Sequence, residues 1–183
     1  MSERVEILVS GYGGQGVVRI GQILGQAAVH QGLYATMLIS HGTETRGGYV
    51  RSQVVISDSF IDSPVVESPN YFCAFSLIAY NMFKGLCTPK SLILHNPDMV
   101  SPDPALSAEH WSIRAESLAE RELGNAVFAN VIFLGALSSC LAAVSSDNIM
   151  SAMAERLPAR FHDMNLRAFK LGRSLLSTGN LQD

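Results

Sequence analysis

In the first half of the chain, apolar positions come in short runs closed by glycines; in the second half they recur at helical spacing. Val5–Ser10 is an apolar run ending in glycines and predicts a buried strand. Val17–Gln31 sets Val17, Ile20, Ile23, Leu24, Ala27 and Ala28 on one helical face, and Gly32 is its stop signal. Tyr34–Ser40 and the β-branched Tyr49–Ser57 predict a second and a third strand. Strand, glycine loop, helix, strand is the opening of an α/β domain. The link from Ser40 to Tyr49 is too short for a crossover helix, so these two strands, if neighbours, are antiparallel and the sheet is mixed. Tyr71–Phe75 and Ser91–His95 predict two further strands, with a helix around Leu77–Leu86 between them. Pro97, Pro102 and Pro104 mark Asn96–Pro104 as loop.

From Ala115 onward the rhythm is helical. Ala115–Leu123 reads as a charged, exposed helix, and Asn125 can cap an apolar helix over Ala126–Val144. Asp147 can start a helix running to Arg156, and Asp163 can cap Met164–Ser177. Ala126–Val144 carries no charge, yet Asn130, Ser138, Ser139 and its alanines make it a poor lipid-facing segment, and Glu122 and Asp147 flank it. No membrane association is expected. A helix without a charged face must be covered on all sides, which predicts a partner subunit or a second copy of the chain against it. The expected fold is a three-layer αβα sandwich with a mixed, mostly parallel sheet, a Gly-rich βα loop and a helical C-terminal half. Residues 1–183 are expected to form one domain.

Composition narrows the chemistry. At 48% hydrophobic and 16% charged residues, the chain is too apolar to be disordered. A net charge of −3 and the lack of any basic run exclude a binder of nucleic-acid backbones. Of the 13 cations, 10 are Arg, which suits planar recognition of anions. Cys73, Cys87 and Cys140 show no CxxC spacing, and an iron–sulfur or zinc site needs four closely spaced ligands, so no metal is expected on this chain. Reduced thiols, and an N-terminus that runs directly into a strand, predict a cytoplasmic protein without a signal peptide.

Two glycine elements carry the candidate chemistry. Gly11-Tyr12-Gly13-Gly14-Gln15-Gly16 lies between a strand and a helix, where backbone N–H groups and the helix dipole favour an anion. It satisfies GxGxxG, but the second strand ends in Ser40 and His41 where a dinucleotide site wants an acid for the ribose. A phosphate-binding Walker loop is excluded, because Val17 and Val18 stand where Lys and Ser or Thr are required. The second element, Ser40-His41-Gly42-Thr43-Glu44-Thr45-Arg46-Gly47-Gly48, leaves the same edge of the sheet. There Arg46 can clamp a carboxylate or phosphate, or grip a partner subunit, while Gly47 and Gly48 permit close approach. Asn130, alone in an apolar helix, either bridges to a partner chain or is bonded within the subunit.

These elements, in this order, resemble the gamma subunit of the 2-oxoacid:ferredoxin oxidoreductases, the family of pyruvate and 2-oxoglutarate synthases. The resemblance covers nearly the whole chain. It rests on Gly11–Gly16, Ile23-Leu24-Gly25-Gln26-Ala27-Ala28 and Glu44…Arg46-Gly47-Gly48, with Ile56-Ser57-Asp58, Ile61…Pro64-Val65-Val66, Asn130…Leu134-Gly135-Ala136 and Asn165…Ala168-Phe169…Gly172 keeping register. The chain departs from the family's usual Ser-Tyr-Gly-Pro-Glu in having His41 and Thr43, which bears on substrate class.

The resemblance implies an enzyme complex that oxidatively decarboxylates a 2-oxoacid with coenzyme A and passes the electrons to ferredoxin. Its most fitting substrate is 2-oxoglutarate, with pyruvate or a branched-chain 2-oxoacid as the alternative. It implies alpha, beta and delta-type partner subunits that carry thiamine diphosphate and [4Fe-4S] clusters, and no catalytic residue on this chain. The residues implied to enclose coenzyme A are Gly11, Gly13, Gly14, Gln15, Gly16, Ser40, Glu44, Arg46, Gly47 and Gly48. Self-association of the isolated chain is a further expectation. The competing readings are a stand-alone NAD- or FAD-binding protein and an assembly protein without a ligand.

Overall fold

A computed structural model describes residues 4–42 and 49–177. The apolar runs become β1 (Arg4–Tyr12), β2 (Tyr34–His41), β3 (Tyr49–Ser57), β4 (Tyr71–Ala74) and β5 (Leu92–His95), and β6 (Glu109–Ser112) is added at the far edge. Across the sheet the order is β2-β3-β1-β4-β5-β6. β3 is antiparallel to both β2 and β1, while β1, β4, β5 and β6 are parallel neighbours, so β3 alone runs against the rest. The short link dictates this, and the Gly42 N–H closes the β2–β3 hairpin by donating to the Tyr49 carbonyl at 2.7 Å. β6 carries no apolar run; its four residues are extended because they continue the parallel register of Leu92–His95.

Alternation along the strands sends side chains to two faces. On one face Ile7, Val9, Val54, Ile56 and Leu94 meet α1 (Val17–His30), α3 (Ala115–Leu123), α4 (Ala129–Cys140), α5 (Ser146–Arg156) and α6 (His162–Ser177). On the other, Leu8, Val55, Phe72 and Ile93 meet α2 (Leu77–Phe83), through Tyr80 and Phe83, and residues outside the helices and strands such as Ile61, Val66, Val100 and Ala108. The sandwich is therefore lopsided, with one thick helical layer and one thin layer made largely of loop. A polar cluster pins that thin layer. Tyr80 Oη lies 3.0 Å from His110 Nε2 and accepts from Asp103 N at 2.9 Å, and Lys84 Nζ donates to Asp103 Oδ2 at 2.7 Å. The buried His95 ring stands 5.8 Å from that of His110.

The expected apolar helix over Ala126–Val144 divides into a 3-10 turn at Ala126–Phe128 and α4. Asn125 caps the turn as expected, its Oδ1 accepting from Val127 N at 2.9 Å. The expectation that a partner or second copy must cover this helix is corrected: the chain itself buries Val131, Ile132, Phe133, Leu134, Ala136 and Leu137. α6 lies so close that a β-carbon on Gly135 would collide with the Phe169 carbonyl, and one on Gly172 with the Ile132 carbonyl. The lack of charge on the helix was visible in sequence, but the glycine pair that lets α6 meet it was not.

Two caps also differ from expectation. Ser145 Oγ, not Asp147, accepts from Asn148 N at 3.3 Å at the start of α5, and Asp163 lies inside the first turn of α6. The end of α1 is as expected. Gly32, at φ +81°, donates to Val29 O and Leu33 to Ala28 O, each at 3.0 Å, a left-handed glycine closure. Among the described residues no helix is long and apolar enough to cross a membrane.

Candidate functional site

The helices that follow β1 and β4 leave for opposite faces, α1 to the thick layer and α2 to the thin one. Beyond the carboxyl ends of two such parallel neighbours a crevice opens, and open α/β sheets bind ligands there. The loop Gly11–Gly16 stands over this point, between the ends of β1 and β4.

Its six residues divide into a half-buried staple and an exposed ridge. The Gln15 amide is the staple: Oε1 accepts from Tyr12 N at 2.7 Å, and Nε2 donates to Phe75 O at 3.1 Å. It ties the end of β1 to the end of β4. Gly11 is buried, and a β-carbon there would collide with the Gln15 amide and with Phe75. Its lack of a side chain makes room for the staple. Gly13 and Gly14 are exposed, and among the described residues nothing stands within 4 Å of where their β-carbons would be. Gly14 and Gly16 take φ of +92° and +81°, which only glycine adopts readily.

Gly16 is also the first cap of α1, and no side chain caps that helix end. Ile20 N makes the first intrahelical bond, to Gly16 O at 3.0 Å, so the N–H groups of Val17, Val18 and Arg19 have no acceptor within the helix. The first turn holds no acidic residue. An anion is the complement of such an end.

The ridge separates two cavities, and Gly14 lines both. One, of about 430 Å³, is bounded by Tyr12, Gly13, Gly14, Gly16 and the first turns of α1, with Arg19, Gln22, His41 and Val50. Among the described residues that line it there is no carboxylate. Arg19 spends one N–H on the Arg156 carbonyl at 2.5 Å, which fixes its guanidinium beside the helix end. The other cavity, of about 230 Å³, lies between the ridge and α4, lined by Gln15, Phe75, Glu116, Val127, Asn130 and Phe133 among others.

Several residues singled out from sequence thus come together, and others do not. Gly13, Gly14 and Gly16 form the accessible surface, Gly11 is buried, and the half-buried Gln15 ties the strands together while lining the smaller cavity. His41 reaches the larger cavity. Ser40 pairs with Arg51 in the β2–β3 ladder and sits on the opposite face of β2 from His41. Glu44, Arg46, Gly47 and Gly48 lie outside the described residues. Arg19, Gln22, Phe75 and Glu116 were missed. The helical period could have indicated the first two, since both fall within two turns of the loop on α1.

The three thiols do not gather into a ligand set. Cys73 is buried, and burial raises its pKa; burial likewise pushes Cys87 to about 11 and Cys140 to about 12. A thiolate ligand is disfavoured at each. Among the described residues no three His, Cys, Asp or Glu gather as metal ligands.

Comparison with known proteins agrees with this architecture. The pyruvate ferredoxin/flavodoxin oxidoreductase family model matches residues 6–175. The 2-oxoglutarate synthase subunit KorC of Methanothermobacter thermautotrophicus is 35% identical, over 97% of each chain. The gamma subunit of a keto/oxoacid ferredoxin oxidoreductase from Geobacter sulfurreducens superposes with a TM-score of 0.84 at 28% identity, covering 94% of this chain and 99% of that one. A chain of the 2-oxoglutarate:ferredoxin oxidoreductase of Magnetococcus marinus, solved with 2-oxoglutarate, coenzyme A and succinyl-CoA, shares the fold. The TM-score is 0.86 at 23% identity, over 96% of this chain and 31% of that longer one.

Proposed function

We propose, from the premise that this chain belongs to the pyruvate ferredoxin/flavodoxin oxidoreductase family as a gamma subunit of a 2-oxoacid:ferredoxin oxidoreductase, that its share of the reaction is to hold coenzyme A on the glycine ridge. The substrate we assign is 2-oxoglutarate, supported by the identity with a 2-oxoglutarate synthase subunit. The complex converts a 2-oxoacid and coenzyme A to an acyl-CoA and carbon dioxide, and two electrons leave for ferredoxin. We assign thiamine diphosphate and the [4Fe-4S] clusters to alpha, beta and delta-type partners, since the three thiols of this chain form no ligand set and burial disfavours the thiolate at each. Thiamine diphosphate, when bound, supplies the carbanion stabilisation that decarboxylation needs. Residues 1–183 act as one domain, in the cytoplasm.

The observation that carries the reading is the uncapped end of α1 behind exposed Gly13 and Gly14, with no carboxylate among the described residues that line the adjoining cavity. A diphosphate placed there meets N–H donors and the positive end of the helix dipole. Arg46, in the segment that links β2 to β3 in sequence, is assigned to the same anion.

The test uses the assembled complex. Gly13 has an ordinary φ and open space around it, so Gly13→Val keeps the fold while blocking approach to the backbone. Its apparent KM for coenzyme A is expected to rise about tenfold or more, and Arg46→Ala is expected to raise it about ten- to a hundredfold, the loss of one charge-assisted contact. Wild-type coenzyme A kinetics in both variants contradict the anion cradle. Failure of Arg46→Ala to assemble moves Arg46 to a subunit interface.

A further inference from the structure

The outer face of α2 is unlike a solvated surface. A helix lying on a sheet buries one apolar stripe and turns charged residues to water. In α2 the inward stripe is Ala79, Tyr80 and Phe83, and the outward positions are Leu77, Ile78, Asn81 and Met82. None of the outward four carries a charge. Leu77, Ile78 and Met82 are each close to half exposed, and Ile78 and Met82, four positions apart, stand one above the other. The helix is apolar all round, which calls for cover on both sides.

Arg51 borders this strip. Its guanidinium carbon lies 5.3 Å from the ring centroid of Phe83, the last residue of α2, and Tyr49 meets the same ring edge-on at 5.4 Å. The cation is therefore stacked on a ring that is itself held. Its Nε is shut off from solvent without a hydrogen-bond partner, and among the described residues no carboxylate pairs with it. Lys84, at the same end of the helix, is by contrast neutralised by Asp103 at 2.7 Å. A planar, pre-positioned guanidinium without a counter-charge is the complement of a carboxylate from outside the chain.

We infer that α2 and Arg51 form a docking face for another subunit of the complex, which lays apolar side chains on Leu77, Ile78 and Met82 and presents a carboxylate to Arg51. Arginine, methionine and an aromatic support are the residues that anchor protein interfaces. The face adjoins the glycine ridge, because Phe75, whose carbonyl the Gln15 amide holds, is followed directly by Ser76, the cap of α2. The choice of occupant rests on the reading above, in which thiamine diphosphate sits on a partner. That partner must reach the ridge, and a second copy of this chain seated on α2 would occupy its approach.

The test is assembly of the complex from this chain and its co-expressed partner subunits, read by size-exclusion chromatography on dilution at low and high salt. Ile78→Glu and Met82→Glu change outward positions, so the chain alone should keep its thermal midpoint while the apparent Kd for assembly rises about tenfold or more. Arg51→Gln should weaken assembly about tenfold and flatten the salt dependence shown by wild type. Since Arg51 also packs on Phe83, the two outward variants keep the test independent of folding. Wild-type assembly in all three overturns the docking face. Self-association of the wild-type chain that the same variants abolish makes a second copy the occupant and overturns the assignment. An Arg51→Gln complex that assembles normally but has a raised KM for coenzyme A moves Arg51 to the ligand, and also overturns it. Gly13→Val, measured alongside, separates the two readings. Docking variants that assemble normally beside a Gly13→Val with raised KM sink the face and leave the ridge, whereas docking variants that fall apart beside a Gly13→Val with unchanged KM support the face and overturn the ridge.

Discussion

The Gln15 amide bonds to backbone on both β1 and β4, and Gly11 is small to accommodate it. Removing the amide strands the Tyr12 N–H and the Phe75 carbonyl in a half-buried setting. Gln15→Ala is therefore expected to destabilise the chain by about 1–3 kcal/mol, seen as a fall of several degrees in thermal midpoint. An unchanged midpoint contradicts the staple. The sequence made this loop legible as an anion motif, since strand, glycines and helix follow in order. It could not show which glycine faces a ligand and which yields space to a side chain, because both roles ask only for a missing β-carbon. The same holds for Asn130, whose neighbour Gly16 is 114 positions away in the chain and meets it only through packing.

At the scale of elements, the strands and α1 were legible because hydrophobic runs, β-branched residues and a glycine stop agree with one another. β6 was not, since its extended form comes from pairing with β5 rather than from its own residues. The α4–α6 crossing was half legible: the apolar helix was evident, its cover was not. That crossing depends on backbone meeting backbone at Gly135 and Gly172, where no side chain can swing aside. Gly135→Ala and Gly172→Ala are each expected to cost about 1–3 kcal/mol, against the usual gain of about 1 kcal/mol for placing Ala in a helix. Denaturant titration of the purified chain checks this, and a stabilised variant contradicts the packing.

For the whole molecule, the lopsided sandwich makes the thin layer sensitive to acid. Burial lowers the pKa of both His95 and His110 below the usual 6.5, and the charge on His110 lowers that of His95 further. Both are neutral, folded or unfolded, well above pH 6.5, so their effect is absent there. Below it the unfolded chain takes up protons that the folded chain refuses, and stability falls as pH drops from 6.5 toward the lower folded values. Unfolding midpoints measured at pH 7.5 and 5.5 should show this loss, and His110→Gln should reduce it. An equal acid sensitivity in that variant removes His110 from the account.

In the reading proposed above, this chain completes a coenzyme A-dependent 2-oxoglutarate:ferredoxin oxidoreductase without carrying its redox chemistry. That reading is tested most directly by comparing the chain purified alone with the complex that co-purifies with it from its native source. Viologen reduction is measured with 2-oxoglutarate, pyruvate and a branched-chain 2-oxoacid, with and without coenzyme A. The chain alone should be colourless and inactive, and the complex should reduce viologen with 2-oxoglutarate only when coenzyme A is present. Iron, acid-labile sulfide or decarboxylation in the chain alone contradicts the account, as does a complex that ignores coenzyme A or prefers another 2-oxoacid.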